Sequence, residues 1–200
     1  MQAWLWAERF PDAMDGVVPI ACYPMQISGR NLMWRQIVIN AVRNDPKWHG
    51  GNYSPADPPT AWKDVAGLMF PMMVGTAERL QASGPDREHA LAHDADLIAD
   101  YRTRDADDSL YDYESSADYD PGPDIEKITA PLNAINFADD LVTPPTLPIA
   151  ANTVGRLSRG QFTLVPGGWG HAGIFHVDEW AAALQAFLRT LPEGDEAHRV

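Results

Sequence analysis

Cysteine is almost absent from this chain. Cys22 stands alone, so neither an internal disulfide nor a thiolate metal cluster can be built within one chain, and the residue reads as a small buried apolar side chain. Runs of Lys or Arg are also missing. Fifteen basic residues against 28 acidic ones leave a formal net charge of -13, which repels polyanions and removes nucleic acid from the expected partners. No apolar stretch approaches the roughly 18 to 20 residues of a membrane helix, so the segment is expected to be soluble and without a membrane partner. The first residues, MQAWLWAERF, have no charged leader and no secretory core before them. Any export signal would belong to a preceding part of the protein, and cytoplasmic is the default expectation.

What is present is a chain of 200 residues, 45% hydrophobic, the size and balance of one globular domain. Residues Ala3 to Phe10 form an apolar helix that Pro11 ends. Three short apolar runs, Gly16 to Cys22, Pro131 to Ala138 and Gln161 to Pro166, have the pattern of parallel strands covered on both faces. A helix is predicted between the second and third, over Pro144 to Leu157. Another follows the third on the stripe Val177, Trp180, Ala181, Leu184, Phe187, Leu188 and Leu191. Alternating strand and helix predicts an α/β architecture with a parallel sheet.

The long gap between the first two strands reads as a helical insertion. Asn31 to Val42 and Ala61 to Leu80 are amphipathic, Glu88 to Tyr101 is more polar, and NDPKWHGGNYSPADPP between the first two is loop. Asp105 to Asp124 holds eight acids, three tyrosines and no base, and is expected to be a solvated connector. It lacks the Gly and Glu that an EF-hand loop needs at its sixth and twelfth positions. The resulting boundaries are 1–23 for a first helix and core strand, 24–127 for the insertion, 128–192 for the remaining core strands and helices, and 193–200 for a polar tail.

In an open parallel sheet, reactive groups collect beyond the carboxyl ends of the strands. ADDLVTPP follows the second strand and places Asp139 and Asp140 there; GGWGHAGIF follows the third and carries His171. The separation, 171 − 139 = 32 residues, leaves room for one crossover helix and one strand, so adjacent strands would bring acid and imidazole together. A carboxylate fixing one ring nitrogen while the other faces a nucleophile is the base half of a hydrolytic triad; the alternative is a helix-capping Asp and a loop His. The chain order Ser, acid, His of α/β hydrolases is satisfied for the last two members. No G-x-S-x-G pentapeptide occurs in the sequence. Because an elbow of that form directly precedes a helix packed on the sheet, it is expected just before Met1.

The segments MQAWLWAERFPD, VPIACYP, NLMWRQIVINAVRNDPKWHGGNY, DADDSLYDYESSADYDPGP, INFADDLVTPP and GGWGHAGIF resemble, in order and spacing, the MetX-like esterases related to homoserine O-acetyltransferase. The resemblance covers nearly the whole chain except the last eight or so residues, and NDPKWHGGNY is its most specific part. It implies the C-terminal part of an α/β-hydrolase fold with a large helical lid. It also implies a Ser-Asp-His triad whose acid is Asp139 and base His171, with no role for Asp140, and an acyl ester or thioester substrate. No cofactor and no metal are implied. Where true homoserine acetyltransferases have an Asp directly after the catalytic His, this chain has Ala172, which turns the expected acceptor from homoserine toward water or another alcohol.

Trp34, Trp48 and Trp62 are candidates to line an acyl pocket from the lid, or simply to pack it. His89 and His93, four apart on a helix, lack the glutamate of H-E-x-x-H and any third ligand, and read as a solvated face. The function expected is acyl transfer by an esterase or O-acyltransferase, with this chain inactive on its own. A truncated, non-catalytic remnant is the alternative. A three-stranded sheet would leave an edge unpaired and invite association with another chain, a homodimer included.

Overall fold

The computed structural model describes residues 1–192; the tail expected over 193–200 lies outside the described residues. In chain order the elements are α1 (Gln2–Arg9), α2 (Gly29–Arg43), α3 (Ala61–Val74), α4 (Ala77–Ser83), α5 (Arg87–Tyr101), α6 (Ala106–Glu114), β1 (Leu132–Phe137), α7 (Ile149–Val154), β2 (Gly160–Val165) and α8 (Val177–Leu188). Short 3-10 turns occupy His49–Gly51, Gly122–Lys127 and Gly170–Phe175. The chain divides into two compact units. One comprises Met1–Gln26 and the chain from Asp120 onward; the other is Ile27–Tyr119.

The first unit has the α/β architecture that the alternation predicted. β1 and β2 run parallel, paired from Leu132 with Gly160 to Phe137 with Val165, and α7 is the crossover between them. All six residues of β1 are buried. With a period of two, its side chains serve opposite faces. Leu132 and Ala134 join a cluster with Trp4, Ala7 and Ile125, whereas Ile135 and Phe137 join Ala21 and Val165, with Trp180 and Ala183 of α8 packed against them. One strand thus separates two cores, which is why its sequence reads as an unbroken apolar run.

The third expected strand is only partly made. The Gly16 to Cys22 run lies parallel to β1 but pairs as two isolated bridges, Val17 with Leu132 and Ile20 with Ile135. The Val17 amide donates to the Pro131 carbonyl at 2.9 Å and the Ala21 amide to that of Ile135 at 2.8 Å. The donor between them falls at Pro19, which has no N–H. The ladder loses its middle rung, and Ala21, at φ 48°, ends the extended run. Prolines also shorten the crossover helix expected over Pro144 to Leu157: Pro144 and Pro145 precede it, and α7 begins only after Pro148.

Among the described residues the second unit has no strand, as the insertion predicted. Val38, Ile39 and Val42 of α2, Trp62 and Ala66 of α3, Tyr101, Ala106 and Leu110 form its core. Two expectations change here. The helix expected over Ala61 to Leu80 breaks at Gly75, and the Thr76 side chain then accepts the Arg79 amide to open α4. The acidic run is not merely a connector. Asp105 caps α6 by accepting the Asp107 and Asp108 amides at 2.9 and 3.2 Å, and those two acids sit in the first turn, where the helix dipole favours negative charge. Ala106 and Leu110 of the same helix are buried.

Candidate active site

β1 and β2 finish side by side, with the Ala138 amide bonded to the Val165 carbonyl at 3.0 Å. The chain leaving each strand therefore starts from the same end of the sheet. Beyond β1 it turns at once, the Asp140 amide donating to the Phe137 carbonyl at 3.3 Å. That tight turn sends the two neighbouring carboxylates to different partners.

Asp140 is 1% exposed and saturated with donors. Its Oδ1 accepts the amides of Val142 at 2.6 Å and Thr143 at 3.0 Å. Its Oδ2 accepts the Thr143 hydroxyl at 2.7 Å and lies 2.8 Å from His171 Nδ1. Burial pushes the Asp140 carboxyl up, but the bond and charge of His171 and the hydroxyl and amide of Thr143 outweigh it and hold the group below its ordinary range. An ionised carboxylate only accepts, so Nδ1 must carry the proton of this pair. When the ring is neutral the other nitrogen, Nε2, is then the acceptor, and the side chain of His171 is 20% exposed.

The partner of His171 is thus Asp140 and not Asp139, which corrects the expectation from sequence. Asp139 instead uses Oδ2 to accept the amides of Gly168 at 2.8 Å and Gly170 at 3.2 Å. The sequence offered two acids at the right strand end, and which one meets the ring is decided by the turn after Phe137. Sequence reasoning also missed what secures the histidine loop. A Cβ at Gly173 would lie 2.8 Å from the Phe137 ring, so only glycine lets the 3-10 turn carrying His171 sit down on β1. Farther along, Trp169 and His176 stack with ring centroids 3.5 Å apart and planes 15° from parallel.

The three tryptophans are engaged in packing within the second unit. Trp62 is wholly buried at the centre of that core, its ring N–H donating to the Pro59 carbonyl at 3.2 Å. Trp48 packs against the same cluster and donates to Asp107 at 2.8 Å. Trp34 is buried edge-on against Tyr113, with centroids 5.7 Å apart, and its ring nitrogen has no hydrogen-bond partner among the described residues. His89 is spent on Asp86, the acid that caps α5. Among the described residues no group of three or more side chains could hold a metal ion, and no helix is long and apolar enough to cross a membrane.

No family model matches the chain. Its sequence is similar to homoserine O-acetyltransferase of Zymomonas mobilis, 38% identical over 85 residues that make up 42% of this chain and 21% of that protein. It is also similar to homoserine O-succinyltransferase of Burkholderia vietnamiensis, 36% identical over 53 residues, 26% of this chain and 14% of that one. The matches therefore span about a fifth or less of those relatives. In fold the chain is similar to the crystal structure of homoserine O-acetyltransferase from Bacillus anthracis, with a TM-score of 0.82 at 18% identity, covering 96% of this chain and 58% of that one. Esterase E22 gives a TM-score of 0.76 at 18% identity, with 94% and 58% covered.

Proposed function

We infer that this chain, whose sequence matches and fold support a MetX-like α/β-hydrolase family, contributes the general base and the orienting acid of an acyl-transfer site. The observation that carries the reading is the 2.8 Å contact of His171 Nδ1 with a buried Asp140, formed where two adjacent parallel strands end. With Nδ1 protonated and held, Nε2 is the nitrogen that can take a proton from an attacking hydroxyl and return it to the leaving group. Asp140 fixes the tautomer and stabilises the imidazolium that forms between those steps.

The attacking serine is the member this chain does not supply, since no G-x-S-x-G pentapeptide occurs in its 200 residues. In the order followed by α/β hydrolases it stands upstream of acid and base. The substrate class is an acyl ester or thioester. Ala172, the neighbour of His171 where the resemblance implies an Asp for homoserine, favours water or a simple alcohol as acceptor. The role of the helical unit as a lid rests on the resemblance alone. The absence of the pentapeptide equally favours a second reading, a non-catalytic remnant, and the sequence upstream of Met1 separates the two: an in-frame elbow supports the enzyme, a stop codon the remnant.

The test compares short-chain ester hydrolysis by the 200-residue chain with that by a version carrying the upstream elbow. The short chain is expected to show no turnover. The longer one should turn over and lose about 10³-fold or more in kcat on His171→Ala. Turnover by the short chain that vanishes in His171→Ala would place the nucleophile within these 200 residues and overturn the proposal. So would full activity of the longer protein without His171.

A further inference from the structure

We propose that Asp139 is the positioning residue for His171: it organises the glycine-rich loop from the outside so that the ring arrives at Asp140 already aligned. This rests on reading His171 as the base, and it gives the two neighbouring carboxylates separate duties. Asp140 holds the ring, and Asp139 holds the backbone that presents the ring.

Glycine leaves the backbone of this loop with little intrinsic restraint. Gly167, Gly168 and Gly170 have φ of 81°, 143° and 61°, conformations that glycine adopts freely and therefore leaves freely. Three such residues within four positions give a backbone with large conformational entropy, in which Trp169 is held by stacking on His176. One atom outside the loop adds two restraints on its backbone: Asp139 Oδ2 accepts both the Gly168 and the Gly170 amides, 29 and 31 residues away in the chain. A charged acceptor makes such bonds roughly twice as strong as a neutral one. The second of the two amides belongs to the residue directly before His171, so the restraint is applied one peptide from the base.

The fit is close on the other oxygen as well. A Cβ at Gly167 would lie 2.0 Å from Asp139 Oδ1, so that oxygen rests where any other residue's side chain would begin. Oδ1 is buried and has no hydrogen-bond partner among the described residues. Leaving a carboxylate oxygen buried and unbonded is unfavourable. The arrangement persists because Oδ2 makes two bonds at once, and those bonds set the path of the loop.

The experiment uses the whole 200-residue chain, isotopically labelled, and reads two signals by NMR: hydrogen exchange of the Gly168 and Gly170 amides, and the low-field Nδ1 proton of His171 shared with Asp140. In Asp139→Ala both glycine amides should exchange at least tenfold faster, and the His171 proton should broaden or disappear although Asp140 is intact. Asp139→Asn, which keeps a neutral acceptor, should show the same changes at about threefold, and serves as the deciding variant if the alanine protein does not fold. Asp140→Asn should erase the His171 signal while the glycine amides stay protected. Freed glycine amides beside an unchanged His171 proton would reduce Asp139 to a loop staple and overturn the proposal; so would no change in either signal. None of these readouts needs turnover. If the acid–base reading is wrong, ester hydrolysis by the longer protein will be indifferent to His171, and the two failures remain distinguishable. If both hold, Asp139→Asn in the longer protein should lower kcat with little change in KM.

Discussion

The helix caps of one unit and the strand-end acids of the other find their partners over different lengths of chain. In Ile27–Tyr119 the helix-opening acids and hydroxyls bond amides two or three residues away: Thr76 to Arg79, Asp86 to His89, Asp105 to Asp107 and Asp108. In the strand-bearing unit the turn after β1 is also closed locally, by Asp140 on Val142 and Thr143, but its remaining bonds reach some 30 residues along the chain, from Asp140 to His171 and from Asp139 to the glycine loop. Local bonds form wherever a helix forms. The long-range ones exist only when β1 and β2 are in register and both loops are in place, so a site built on them reports on the whole of its unit.

The sharpest way to break that contrast is to attack the helical unit where it too depends on distant contacts. Trp62 is fully buried among residues of α2, α3 and α6. Trp62→Ala should cost about 3 to 5 kcal/mol, read by denaturant unfolding, with loss of amide protection across α2, α3, α5 and α6. A cost under about 1 kcal/mol would mean that local capping alone sustains those helices.

Next in size is Asp140→Ala, which orphans four donors around a buried position. It should cost about 2 to 4 kcal/mol, and Asp140→Asn less, since an amide keeps one acceptor. The pH dependence has a definite sign. The folded carboxyl titrates below its ordinary value, so its contribution is present above the ordinary carboxylate range of about 4 and is lost as pH falls through the folded pKa. Denaturation midpoints compared between neutral pH and about pH 3 should fall more steeply for the wild type than for Asp140→Asn. Parallel slopes would show that the pairing contributes no linkage.

What the sequence made legible follows the same division. The apolar runs of β1 and β2 and the stripe of α8 were readable because burial imposes a period on the residues themselves. The position of the carboxylate that meets His171 was readable to the turn, but not to the residue. Asp139 and Asp140 are equivalent in spacing, and only the Asp140 amide bond to Phe137 separates their directions. The Gly16 to Cys22 run looked like a full strand because apolar patterning does not register which amides face the neighbour, and Pro19 falls on one that does. The single helix expected over Ala61 to Leu80 hid a cap, Thr76, behind one glycine. In the acidic run, charge density concealed the buried pair Ala106 and Leu110, four residues apart on one face of α6.

The smallest of these effects tests that last point. Asp105 is an exposed residue whose carboxylate caps α6 and also accepts the Tyr53 hydroxyl. The Tyr53 bond, assisted by the Asp108, Asp107 and Ala106 amides and opposed by partial burial, holds the group below its ordinary range. Removing a side-chain cap typically costs about 1 kcal/mol, so Asp105→Ala should lower the thermal midpoint by a few degrees and reduce the helical circular dichroism signal modestly. Asp105→Asn preserves the cap geometry and should recover most of the loss, separating hydrogen bonding from charge. Because the folded carboxyl is the stronger acid, the difference between wild type and Asp105→Asn should shrink as pH drops below about 4. A cost above about 3 kcal/mol would make Asp105 a long-range strut, like Asp140, through its bond to Tyr53. No measurable cost would return the whole segment to the solvated connector that its charge pattern suggests.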